Sequence, residues 1–121
     1  MEIYTLLEED HRKASMIFEQ LKLVPGRAFE KREQLFLKLK AELEAHSEAE
    51  EAVFYTRLMK KETMERTLAE SYAEHHKIAE LLNELTSMAV NNDEWMLKCN
   101  TLQALVTGHV SKEENVIFEK A

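Results

Sequence analysis

His46-Ser47-Glu48-Ala49-Glu50-Glu51-Ala52-Val53 is the most telling stretch of this chain, because it returns 63 residues later as His109-Val110-Ser111-Lys112-Glu113-Glu114-Asn115-Val116. Each copy runs into two large apolar residues, Phe54-Tyr55 and Ile117-Phe118. Each also comes after an acidic–His pair, Asp10-His11 and Glu74-His75. His11 precedes His46 by 35 residues, and His75 precedes His109 by 34. One helical hairpin used twice accounts for this pattern. Each hairpin then supplies two imidazoles and a carboxylate, a set that suits a pair of transition-metal ions inside a helical bundle.

Working outward, apolar residues recur at alternating steps of three and four, the signature of amphipathic helices. The first stripe is Ile3, Leu7, His11, Ala14, Phe18, Leu21, ended by Val24-Pro25-Gly26. Pro lacks an N–H and Gly tolerates positive φ, so the helix stops there. The second stripe is Phe36, Leu39, Leu43, His46, Glu50, Val53, fading in Lys60-Lys61-Glu62-Thr63. The third is Leu68, Tyr72, His75, Ala79, Leu82, Leu85, Ala89, broken by Asn91-Asn92-Asp93, any of which can cap the next helix. The fourth is Trp95, Cys99, Leu102, Val106, His109, Glu113, Val116. The fold class is therefore all-α, an antiparallel up-down-up-down four-helix bundle, with residues 1–121 as one domain.

Counting along the helices at ~1.5 Å per residue brings Glu50, His75 and His109 level within a few ångströms. The first turn fits less well. His11 lies nearer the turn than His46 does, a mismatch of about 10 Å at that rise. Either the first connection is long, or the second helix overhangs the first.

Composition agrees with this fold. Two Gly and one Pro in 121 residues leave little punctuation for a sheet. The net charge is −7, from 16 basic and 23 acidic residues, which argues against binding a phosphate backbone. A single cysteine, Cys99, excludes an intramolecular disulfide and a cysteine metal cage. That fits a cytoplasmic protein. No apolar run reaches the ~20 residues of a membrane span, and the start shows no signal peptide.

Six polar groups fall on the apolar stripes: His11, His46, Glu50, His75, His109 and Glu113. Burying unpaired carboxylates in a bundle core is costly. A pair of divalent cations would offset the charge and explain the inward placement. Residues at i and i+4 share a helix face, so His46 with Glu50, and His109 with Glu113, can serve one centre from one helix. The simplest arrangement gives each ion two imidazoles, with the carboxylates bridging.

In this order and at these separations, Asp10-His11, His46 with Glu50-Glu51, Glu74-His75 with Ile78 and Leu81-Leu82, and His109 with Glu113-Glu114 and Phe118 resemble the hemerythrin-like, or HHE cation-binding, family. The resemblance implies two non-haem Fe ions, oxo- or hydroxo-bridged; spacing alone leaves Zn or Mn open. Oxygen-carrying hemerythrins have a fifth His four residues after the third-helix ligand, where this chain has Ala79. The four-His, two-Glu set is similar to iron–sulfur-centre repair proteins and iron-sensing domains. The repair proteins carry an extra N-terminal domain with a cysteine pair, which is absent here.

Other residues carry weaker expectations. His76 points away from His75 and is expected to be exposed. Glu51 and Glu114 are placed on a solvated face, with hydrogen bonding to ligand N–H groups as the other reading. Asp10 and Glu74 are surface groups or partners of ligands. Tyr55 and Tyr72 are packing residues by default, Trp95 is core, and Cys99 is a buried, inert thiol. These residues together favour a protein that binds or senses O2, NO, peroxide or iron, without nucleic acid or membrane. Two alternatives stand: a small di-iron oxidoreductase, or an interaction module with a structural metal.

Overall fold

The computed structural model describes residues 3–25, 27–58 and 64–117. Expectations on Gly26, Lys60-Lys61-Glu62-Thr63 and Phe118 lie outside the described residues, as do those on the side chains of Ile3, Val116 and Ile117. Four helical runs form: α1 (Ile3–Leu23), α2 (Phe29–Ala49), α3 (Glu65–Ser87) and α4 (Trp95–Lys112). α2 continues through a π-turn, Glu50–Phe54, into a last helical turn, Tyr55–Leu58. α4 continues into a second π-turn, Glu113–Ile117. No strand occurs among the described residues. α1 packs on α2 and α4, and α3 on the same two, so the chain is an all-α four-helix bundle.

The stripes on α1 and α4 are buried as expected: Leu7, His11, Ala14, Phe18 and Leu21, then Trp95, Cys99, Leu102, Val106, His109 and Glu113. Two departures have local causes. On α2 the face moves from Val53, which is 42% exposed, to Phe54 and Tyr55. The Tyr55 N–H bonds to the Glu50 carbonyl, five residues back, so an extra residue enters the turn and rotates the side chains beyond it. On α3 the buried row is Leu68, Ser71, His75, Ile78, Leu82, Leu85. Tyr72 is half-buried and Ala79 exposed, each one residue off that row.

The first connection, Val24 to Ala28, is short. His11 lies twelve residues before the end of α1, and His46 seventeen after the start of α2. Their ring nitrogens nevertheless meet at 3.1 Å. The overhang alternative accounts for the offset: α2 begins beyond the end of α1, by about 7 Å at ~1.5 Å per residue. At the third turn, Asn92 Oδ1 accepts the Glu94 N–H at 2.9 Å, an Asx turn leading into α4.

The core has two apolar parts. Phe36, Leu39, Leu82, Trp95 and Leu102 belong to the larger one. Leu7, Phe54, Tyr55, Leu58, Met64 and Leu68 form the smaller, at the other end. The six polar groups lie on the helix stretches between them. Arg32 closes the far end of the larger part. Its guanidinium sits 5.6 Å from the Phe29 and Trp95 rings and donates to the Val90 carbonyl at 2.8 Å.

Candidate metal centre

All six groups named from the sequence converge. His11, His46, His75 and His109 are 5–8% exposed, and Glu50 and Glu113 are fully buried. They divide into two overlapping sets, His11-His46-Glu50-Glu113 and Glu50-His75-His109-Glu113, with donor atoms within 4.8 Å of one another. The Nε2 atoms of His11 and His46 are 3.1 Å apart, and those of His75 and His109 are 3.0 Å apart. Glu50 Oε1 lies 3.3 Å from His46 Nε2 and 3.1 Å from His75 Nε2, so it joins the two pairs. Glu113 does the same, with Oε1 3.0 Å from His11 and Oε2 3.3 Å from His109.

The opposite ring nitrogen of every imidazole faces a carboxylate. His46 Nδ1 lies 2.9 Å from Asp10, His109 Nδ1 2.7 Å from Glu74, His75 Nδ1 2.6 Å from Glu51 and His11 Nδ1 2.7 Å from Glu114. Asp10 and Glu74 hold the second His of their own hairpin. Glu51 and Glu114 each hold a His of the other hairpin, so the halves are locked crosswise. Glu51 and Glu114 thus leave the solvated face assigned to them. Both are only half-exposed, and both sit in the first turn of a π-turn, where ordinary helical spacing misplaces side chains.

This pattern sets the tautomers. Each Nδ1–H donates to a carboxylate, leaving each Nε2 lone pair aimed inward. Paired lone pairs at about 3 Å repel unless protons or cations lie between them. Glu50 Oε2 and Glu113 Oε1 add buried oxygens with no hydrogen-bond partner; Glu113 Oε1 is near His11 but is not aligned with it for a hydrogen bond. The donor set therefore fits a pair of cations. Without them it draws protons. Burial alone would lower the His46 pKa, but the hydrogen bond and charge of Glu50, with Asp10 behind, raise it to about 9. His109 is raised to about 10 by Glu113 and Glu50 against the same cost of burial. Burial opposes ionisation of Glu50, yet its imidazole partners hold it far below the usual carboxylate range.

Packing, the role expected of Tyr55, is only part of what it does. Its hydroxyl donates to Glu113 Oε2 at 2.6 Å and lies 3.4–3.5 Å from Glu50, His75 and His109. Burial and the two carboxylates push its pKa up, so the phenol keeps its proton. The hydroxyl touches one His pair only. In the repeat, Tyr55 corresponds to Phe118, which has no hydroxyl, so the two halves differ in their polar groups. Ser71 Oγ, buried one turn before His75, lies by this hydroxyl without a well-aligned hydrogen bond. Among the remaining expectations, His76 is exposed and paired with Glu80 at 2.9 Å. Cys99 is a buried free thiol, pushed up to about 11 by burial.

Against the four imidazoles, on the side of the larger core, lies a cavity of about 20 Å³ bounded also by Ala14, Leu43, Ile78, Val106 and Val110. A water needs roughly 10–15 Å³ measured this way, so a molecule of two heavy atoms fits.

The hemerythrin HHE cation binding domain family matches residues 2–121, and the chain belongs to that family. It is 28% identical over 118 residues to a protein of Nostoc sp. described as a DNA nickase. That alignment covers 98% of this chain and 33% of the relative, so the chain spans about a third of that protein's length. A solved structure of a hemerythrin HHE cation binding domain-containing protein from Mycobacterium kansasii has the same fold, with a TM-score of 0.82 at 23% identity, over 94% of this chain and 68% of that one. No described helix is long and apolar enough to cross a membrane.

Proposed function

We propose that this chain is a non-haem di-iron protein that binds or senses a small molecule such as O2, NO or peroxide. One observation carries the reading. Four Nε2 lone pairs and two fully buried carboxylates meet in one layer, beside a cavity sized for two heavy atoms. His11 and His46 would hold one ion, and His75 and His109 the other, with Glu50 and Glu113 shared. Family membership favours iron over zinc or manganese. Bound iron would supply open coordination positions and reversible redox chemistry. The protein contributes the rest: carboxylates that fix each imidazole, an apolar wall that limits water, and the Tyr55 hydroxyl as a proton held at Glu113.

Binding or sensing is preferred to turnover, because the asymmetric hydroxyl offers a hydrogen bond at one side of the centre and no described group supplies electrons. A single cysteine, with no partner for an intramolecular disulfide, fits a cytoplasmic location, which belongs to the same proposal. The nickase description of the Nostoc relative does not extend to this reading, since 23 acidic residues against 16 basic would repel a phosphate backbone.

Metal analysis of anaerobically purified protein, combined with its optical spectrum on exposure to air, tests the reading. Two irons per chain with near-ultraviolet oxo-to-iron absorption are expected. Stoichiometric zinc with no such band would instead point to a structural metal in an interaction module.

A further inference from the structure

We infer that small ligands reach the imidazole-lined cavity through the surface groove between α2 and α3, and that Ala79 sets the width of that route. The inference rests on the proposed ligand-binding role. The groove has a volume of about 330 Å³ and borders on His75. Four of its lining residues, Leu43, Ser47, His75 and Ile78, also line the 20 Å³ cavity. The groove and the cavity are therefore separated by a wall one side chain thick. Leu43 and Ile78 are buried, whereas Ser47 is half-buried and is the smallest member of the wall. Small fluctuations of these side chains join the two spaces.

Two other approaches are better closed. From the Tyr55 end, Phe54, Leu58, Met64 and Leu68 cover the site. The groove between α1 and α2 shares only Glu42 with the cavity. Ala79 lies in the α2–α3 groove one turn after His75, is exposed, and ends at Cβ. A bulky side chain there would fill the groove without replacing any of the ten polar groups of the centre.

The test is stopped-flow association of NO with the anaerobic, iron-loaded protein, with dissociation measured by trapping. Ala79→Trp should slow association tenfold or more, and Ala79→Leu should slow it less. A barrier on the route slows dissociation in proportion, so Kd, iron content and the ligand-free spectrum should not move. Those unchanged quantities separate a blocked route from a damaged site. Met16→Trp, in the α1–α2 groove but outside the cavity, should leave both rates as in the wild type. Wild-type rates in Ala79→Trp, or slowing by Met16→Trp in its place, would overturn the route while leaving the binding function intact. An iron-loaded wild type that takes up no NO, CO or O2 would overturn the functional reading and the route with it.

Discussion

Raising the pH should destabilise the metal-free protein, and the structure sets the size of the effect. His46 and His109 have pKa values of about 9 and about 10 in the folded chain, against an ordinary value of 6.5. A raised folded pKa means that protonation favours folding. The contribution is therefore complete below pH 6.5 and disappears as pH climbs through 9 to 10. At 1.36 kcal/mol per unit, His46 alone is worth roughly 3 kcal/mol. His46 and His109 share Glu50 and Glu113 as partners, so that single-site figure is a floor for the pair rather than half of a sum. For a chain of this size roughly 3 kcal/mol is a fall of about 12 °C in midpoint. Urea and thermal unfolding of metal-free protein between pH 6.5 and 10.5 should show this loss, and His109→Gln should flatten the curve. Metal loading should invert the trend, because cations need deprotonated imidazoles: affinity should rise with pH across the same window, with protons released on binding. Metal-free stability that stays level or climbs over this range would refute the claim that these imidazoles are held charged by buried carboxylates.

Four further outcomes are expected. His46→Ala removes the nitrogen 3.1 Å from His11 and 3.3 Å from Glu50, so metal analysis should find at most one tightly held ion per chain; two would disprove the donor assignment. Glu51→Gln and Glu114→Gln should keep full stoichiometry but lose about 10–100-fold in affinity by chelator competition, since the outer carboxylates orient their imidazoles. Tyr55→Phe should still load metal but cost the metal-free fold about 1–3 kcal/mol in urea, because a buried Glu113 oxygen loses its donor at 2.6 Å. Leu39→Ala, at a fully buried site in the larger core part, should cost ~2–5 kcal/mol without changing metal content, which separates packing from the centre.

Much of this protein is legible along the chain itself. A stripe of apolar residues at steps of three and four is a local property, so counting is enough to place the helices and their inward faces. The repeat, with His and Glu four apart on those faces, marks all six inner donors, because i and i+4 share a face in any regular helix. The surroundings of the centre are less visible. Asp10 and Glu74 sit beside His11 and His75 in sequence yet serve histidines 36 and 35 positions away, on another helix. Glu51, Glu114 and Tyr55 depend on π-turns, which carry no signature in a 3.6-residue period and rotate the side chains after them. Arg32, Ser71 and the offset between α1 and α2 likewise depend on which helices meet and at what height. Periodicity belongs to a single helix and can be read along the chain, whereas a hydrogen bond from one helix to the next exists only once packing has set their relative rotation and level.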